Sequence, residues 1–383
     1  MPEISDTTES VKTTTMDARR MRRHNSEHVL GIVKRLGPLS RTEIARQSKL
    51  STPTVAAVIS DLLRVGMVEE YGEGQSTGGR RPQLVSYNAR FGAVIGAYIG
   101  VTAARLVLAD MYGQILARKV VPYGDDTRPE PLLRLLAESA ATLCKEELGS
   151  NTPLLSTVVG APGMTDMRRG VVIEAANLEG WTAVPAREIL ESLLASPVTV
   201  DNDVNLAAIG EHWQGRGRGL STFVFVTLAT GIGAGIVIDG KIHRGHRWHA
   251  GEISHLNVDF HEWDTDFGAA GYLESFLGAR PSDISSRIPR PICGKIDEEG
   301  LVRLGVTIAN IATIVDPESI VLGGRVAVAQ PEILERVYEV AKRIAPNCPE
   351  IGLTELGEDA PLYGSIKLAL DHVNESLSQY LSE

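Results

Sequence analysis

One pattern restricts the fold more than any other: two apolar strands joined by a glycine turn, met twice. Residues 94–99 and 104–109 flank Gly100-Val101-Thr102, and residues 223–228 and 235–238 flank a turn built on Gly231 and Gly233. Further apolar strand runs fall at 114–121, 155–160 and 197–200, with an amphipathic helical stretch at 131–148 between them. Strands alternating with helices make an α/β layer architecture. Two glycine-hinged halves predict a duplicated body, two lobes with a cleft, running from residue 91 to 383.

The first 90 residues follow another rule. Residues 1–20 are rich in Thr, Ser and charge and read as a disordered tail. From Asn25, Val29, Ile32, Val33 and Leu36 share one helical face. Gly37-Pro38 ends it. Ser40 and Glu43 have the spacing of a capping box, which opens a second helix. A third begins at Ser51 with Pro53 in its first turn and an apolar face of Val55, Val58, Ile59, Leu62 and Leu63. Gly66 is placed to end it. Strands at 67–71 and 83–87 then flank a glycine-rich turn. Three helices and a hairpin make a winged helix-turn-helix over residues 21–90.

Charge separates the same two regions. Residues 1–90 carry 14 Lys+Arg against 10 Asp+Glu, whereas the whole chain is at −10. A basic head on an acidic body points to nucleic-acid contact by the head. The second helix of the pair enters the major groove N-terminus first, so Thr52, Thr54, Ala56 and Ala57 are the candidate base-reading side chains. In the wing, Arg80 and Arg81 suit phosphate or a narrow minor groove. The expected partner is double-stranded operator DNA. Two heads for two half-sites predict a homodimer or homotetramer. Cys144, Cys293 and Cys348 show no paired spacing, and no stretch approaches about 18 apolar residues. With a polar N-terminus that lacks a signal's apolar core, these features predict a cytoplasmic protein without a membrane span.

In the body, Asp201-Asn202-Asp203-Val204-Asn205 stands at a strand end before a helix. Such carboxylates and amides can bind a polyol, and Asp203 could act as a general base; Asp and Asn are also ordinary caps and turns. The amides of the Thr230–Gly235 turn could cradle phosphates, although a tight turn needs glycines as well. Gly251-Glu252-Ile253-Ser254-His255 and Gly271-Tyr272-Leu273-Glu274 add two carboxylates and an imidazole.

These motifs, in this order, resemble the ROK family of repressors, open reading frames and kinases. Residues 177–181 (Asn177 to Trp181), 202–205, 230–235, 251–255 and Asp316-Pro317 with Leu322-Gly323-Gly324 carry the resemblance in the body. Residues 40–63 and Gly78-Gly79-Arg80-Arg81-Pro82 carry it in the head. It covers residues 21–383. It implies an actin/hexokinase-like two-lobed body behind a winged head, and an effector held by Asn177, Asn202, Asp203, Glu252, His255 and Glu274.

Two departures change what the resemblance implies. Kinase members carry an Asp-x-Gly turn in the first phosphate loop, but here Tyr98 holds the Asp position ahead of Gly100 and Thr102. An aromatic ring cannot organise Mg²⁺, which wants oxygen ligands. The two phosphate loops, Gly100 and Thr102 with Thr230, Gly231 and Gly233, are therefore degenerate. No catalytic residue is expected, although Asp203 keeps the family's base position. The family's zinc site uses a histidine and three cysteines; Thr265, Phe267 and Tyr272 stand at the cysteine positions. No Cys₃His site can form, so neither metal nor cofactor is expected. The stretch between Glu274 and Gly300 is also shorter than in most members.

The reading is a transcriptional regulator whose kinase-like body senses a sugar or sugar phosphate. The alternatives are an ATP-dependent sugar kinase with a fused DNA-binding head, or a regulator responding to a non-sugar metabolite.

Overall fold

The computed structural model describes residues 7–74, 81–100, 102–124, 126–149, 152–175, 178–229, 231–267, 271–277 and 295–376, with side chains from residue 20 onward. The chain divides into two compact units. One is Met1–Ala93 with Asp110–Tyr112 and Leu370–Glu383; the other is Val94–Ala109 with Gly113–Ala369. The first unit is thus larger than the expected head of residues 21–90, because a short turn and the chain's end join it.

In that first unit, α1 (Thr7–Leu36), β1 (Leu39–Ser40), α2 (Arg41–Ser48), α3 (Thr52–Arg64), β2 (Val68–Glu73) and β3 (Gln83–Tyr87) follow one another, with sheet order β1-β3-β2. This is the expected helix-turn-helix and wing. The capping box is present: Ser40 Oγ accepts from Glu43 N at 3.2 Å and Glu43 Oε2 accepts from Ser40 N at 2.8 Å. Ser51 caps α3, and Gly66 follows it with φ +79°. Val29, Ile32, Val33, Ile44, Val55, Ile59 and Leu62 form the core. Leu36 stays exposed. One expectation is corrected. Residues 7–20 are not a disordered tail but the first turns of α1. Residues 3–30 hold neither Gly nor Pro, so a polar composition does not break the helix.

The second unit is the duplicated body. Its strands are β4 (Ala93–Ile99), β5 (Ala103–Asp110), β6 (Ile115–Pro122), β7 (Leu154–Ala161), β8 (Met164–Asp166), β9 (Val171–Glu174), β10 (Thr182–Val184), β11 (Val198–Asn202), β12 (Phe223–Leu228), β13 (Ile232–Ile238), β14 (Lys241–His243), β15 (Ser319–Gly323) and β16 (Glu350–Leu353). Its helices are α4 (Pro129–Glu147), α5 (Ala186–Glu191), α6 (Asp203–Gln214), α7 (Gly271–Leu277), α8 (Glu298–Val315), α9 (Gly324–Ala329), α10 (Ile333–Ile344) and α11 (Ala360–Glu375), whose last residues belong to the first unit.

The two main sheets have the orders β6-β5-β4-β7-β11 and β14-β13-β12-β15-β16. Numbered within each half, both read 3-2-1-4-5. In the second sheet β12 pairs antiparallel with β13 and parallel with β15, and β15 pairs parallel with β16. The outer pairs of the first match: β5 with β6 antiparallel, β7 with β11 parallel. A small sheet, β10-β9-β8, is inserted in the first half; no sequence pattern announced it.

Close approaches hold α6 in place. A Cβ on Gly235 of β13 would lie 2.5 Å from Ala208 Cβ, and one on Gly364 of α11 would lie 1.7 Å from the Leu206 carbonyl oxygen. So α6 touches a strand on one side and another helix on the other, backbone to backbone. Its N-terminus carries Asp203.

Candidate functional site

Asn202 is the N-cap of α6. Its Oδ1 accepts from Asn205 N at 2.9 Å, and its Nδ2 donates to the Gly163 carbonyl at 2.8 Å. The ordinary capping reading of this residue is therefore satisfied in full, and its amide has one N–H left for a ligand. Beside it opens a cavity of about 140 Å³ lined by Asn202, Asp203, Asn205, Glu252, Glu274 and Trp248, with Gly231 and Gly233 at one side.

The three carboxylates are not in ordinary water. Burial, with the neighbouring Glu252, pushes Asp203 up to about 7 against the pull of backbone N–H bonds. Glu274 also rises to about 7, from burial first and Glu252 second, although Ile232 N donates to its Oε2 at 3.2 Å. Burial raises Glu252 as well.

Two oxygens in this wall lack any partner. Glu274 is 8% exposed and Asn205 6%. Glu274 Oε1 and Asn205 Oδ1 accept no hydrogen bond. Native structures rarely leave such atoms unsatisfied. A ligand with several hydroxyls would satisfy both.

A second cavity of about 180 Å³ lies on the other side of Asp203, lined by Tyr98, Gly100, Thr102, Arg105, Thr227, Gly324, Arg325 and Glu358 among others. Gly100 and Thr102, expected as part of the first phosphate loop, line it. Tyr98 belongs to the same wall, and burial pushes its phenol up to about 12. The hydroxyl of Tyr123 donates to the Gly100 carbonyl and closes the first glycine turn. Arg105 Nη2 meets Glu358 Oε2 at 2.9 Å, and Arg118 meets Asp359 at 2.6 Å nearby. The second glycine turn does not face this cavity: Gly231 and Gly233 line the carboxylate side. Gly235 and Gly233 are small because α6 packs against them.

Not every expected residue joins the cavity. His255 ends a single 3₁₀ turn (Ile253–His255), is exposed, and does not line it. Asn177, Thr230 and Arg80 lie outside the described residues. Sequence reasoning missed Trp248 and the ion pair behind Asn202; Asn205, part of the polyol motif read from the sequence, does line the cavity. Arg244 reaches the fully buried Asp201 with Nη2–Oδ2 2.6 Å and Nε–Oδ2 3.1 Å. A lone Trp and a distant Arg carry no local motif, so only the fold brings them in.

At the segment where the resemblance places the family's zinc, Phe267 and Tyr272 meet edge to face at 5.2 Å between centroids, and Tyr272 packs on Phe276 at 5.0 Å. The Arg303 guanidinium lies 3.8 Å from the Phe276 centroid and pairs with Glu299 at 2.9 Å. Thr265 hydrogen-bonds Glu262. Packing and a cation–π contact bind this corner. Among the described residues no group of three or more His, Cys, Asp or Glu side chains gathers for a metal, the local histidines included.

In the head, Thr52, Ala56 and Ala57 are exposed at the start of α3. Thr54 is half-buried, its hydroxyl 2.8 Å from Ser51 Oγ, so the cap engages it first. Arg81 is exposed, 3.8 Å from Glu73. A pair this exposed is screened and easily exchanged for phosphate.

The ROK family model matches residues 94–281. A provisionally named xylose repressor of Caldicellulosiruptor sp. (strain Rt8B.4) is 30% identical over 341 residues, 80% of this chain and 84% of its own length. The chain belongs to the ROK family. A solved ROK family transcriptional regulator, a homolog of the E. coli MLC protein, superposes with a TM-score of 0.73 over 95% of this chain and 100% of its own, at 18% identity. A ROK hexokinase from Thermus thermophilus superposes at 0.62 with 29% identity, over 74% of this chain and 99% of its own. The two-lobed ROK body is thus common to both, and the regulator's fold matches nearly the whole chain. Among the described residues no helix is long and apolar enough to cross a membrane.

Proposed function

We propose that this ROK protein is a DNA-binding transcriptional regulator whose body binds a small sugar or sugar phosphate and transfers no phosphoryl group. The observation that carries the reading is the pair of buried, unpartnered oxygens, Glu274 Oε1 and Asn205 Oδ1, in a cavity shared with Asp203 and Glu252. A polyol satisfies them. The phosphate side supports the second half of the reading, because Tyr98 stands where a carboxylate would have to hold Mg-nucleotide. D-xylose is the first ligand to try, given the name of the relative. The regulator acts as a dimer or tetramer on two half-sites, with Thr52, Ala56 and Ala57 in the major groove and Arg80 and Arg81 on the flanking backbone. Ligand shifts operator affinity by binding one conformation better than the other.

One observation favours a rival. Asp203, raised to about 7, is poised as a general base would be, so a sugar kinase with a fused head is the second reading. One experiment separates them: operator binding by fluorescence anisotropy with and without a monosaccharide panel, beside a coupled ATPase assay with the same sugars. The regulator reading expects sugar-dependent anisotropy and no ADP release. Steady sugar-dependent ADP release would favour the kinase.

A further inference from the structure

The carboxylate cavity has one aromatic wall. Trp248 lines it, half-buried, together with the polar groups. Its backbone has φ +67°, a left-handed conformation that bulky residues rarely adopt. The loop around it is pinned at both stems. Ala250 N donates to the Arg244 carbonyl at 3.3 Å and Ala234 N to the Gly251 carbonyl at 2.8 Å. The Arg244 side chain is held by Asp201, two residues before Asp203. Strained backbone persists where its surroundings over-determine it, and ligand clamps are one such place.

Neither a hydrogen bond nor a ring contact explains the indole. Among the described residues its N–H has no hydrogen-bond partner, and its ring has no aromatic or cationic neighbour. The chemistry of the other lining residues is one-sided. Among the described residues, three carboxylates, two carboxamides and the Thr227 and Ser254 hydroxyls line the space, with no Lys, Arg or His. Acceptors together with an indole in one cavity fit a ring with hydroxyls at its rim and C–H bonds on its face. A phosphate group in this cavity would meet carboxylates without a cation.

We infer that Trp248 is a specificity-determining wall of the effector site, on which a neutral pyranose lays one C–H face while Asp203, Glu252 and Glu274 take its hydroxyls. The inference rests on the effector reading of this cavity and narrows it from sugars and sugar phosphates to uncharged pyranoses. Glycine would suit φ +67° better than tryptophan, so the indole is kept at a cost in the free protein.

The test uses the full chain as wild type, Trp248→Phe and Trp248→Gly. Each is titrated calorimetrically with D-xylose, D-glucose, D-galactose, D-mannose and D-glucose 6-phosphate, and melted without sugar. At least one neutral sugar binds the wild type and shifts its indole emission. Trp248→Phe binds that sugar nearly as well, but without the shift. Trp248→Gly loses affinity by about tenfold or more and melts no lower than wild type when free. Unchanged affinity in Trp248→Gly overturns the assignment, as does a loss that only mirrors a fall in its ligand-free melting temperature. Tighter binding of glucose 6-phosphate than of every neutral sugar overturns the uncharged class. Those results leave the effector reading standing; a wild type that binds none of the five overturns both.

Discussion

The two cavities that share Asp203 differ in what they leave undone. On the carboxylate side, Glu274 and Asn205 each hold a buried oxygen without a partner. On the side of Tyr98, none of the described lining residues has such an atom, and Arg105 and Glu358 satisfy each other. One cavity holds buried acceptors that no described residue satisfies, and the other holds none among its described lining residues. The same duplicated scaffold therefore supports recognition on one side without requiring chemistry on the other. A sensor needs only the first, because differential affinity is enough to shift an equilibrium.

The largest expected effect tests that contrast directly. Glu274→Ala should weaken the sugar response of operator binding by on the order of 10- to 100-fold, the worth of about 1.5–3 kcal/mol for a hydrogen bond to a charged group. Tyr98→Ala should leave the response nearly intact. Anisotropy titrations of both variants on a selected operator fragment would show it, with ligand-free DNA binding unchanged in each. The reverse ranking would break the comparison.

Next is the pH dependence of stability without ligand. Asp203 and Glu274 have ordinary values of 3.8 and 4.5, and in the folded protein stand near 7. The folded state thus holds protons that the unfolded chain has already released. Stability falls as pH rises from about 4 to about 7, and the loss is complete above that. Melting temperatures between pH 5 and 8 should fall more steeply for the wild type than for the Asp203→Asn, Glu274→Gln double variant. Parallel curves would mean that these carboxyls titrate normally.

A smaller effect belongs to the head. Arg80→Ala with Arg81→Ala should lower the slope of log affinity against log salt by about one unit for each phosphate that is no longer neutralised. Calorimetric sugar binding by the body should not change. The smallest expected effect is none at all: Mg-nucleotide should leave the wild-type melting temperature where it was. A clear stabilisation would show that the Tyr98 side still accepts phosphates.

The sequence carried the head nearly residue by residue. Ser40 with Glu43, Ser51 and Gly66 are local signals, and local hydrogen bonds answer them. It also carried the duplication, since each glycine-hinged strand pair is contiguous in the chain. The carboxylates were legible because they sit in short motifs. His255 was misleading for the same reason: a motif fixes the order of residues, but the single turn from Ile253 leaves this imidazole at the surface. Trp248, Arg244 and the small sheet β10-β9-β8 depend on the meeting of distant segments. No periodicity records that. At the polar start of α1, the absence of helix breakers outweighs a composition that alone suggests disorder.

The crossing of α6 and α11 has a consequence for anyone who changes this protein. A methyl group at Gly364 would sit 1.7 Å from a carbonyl oxygen, and one at Gly210 would sit 2.2 Å from another. Neither residue lines either cavity, and neither has a functional group. In a saturation library both should nevertheless tolerate fewer replacements than Asp203 itself, for which Asn is a near-isosteric stand-in. A map of mutational intolerance would thus peak at the crossing as well as at the binding site, and the two peaks would have to be told apart by whether the surviving protein folds.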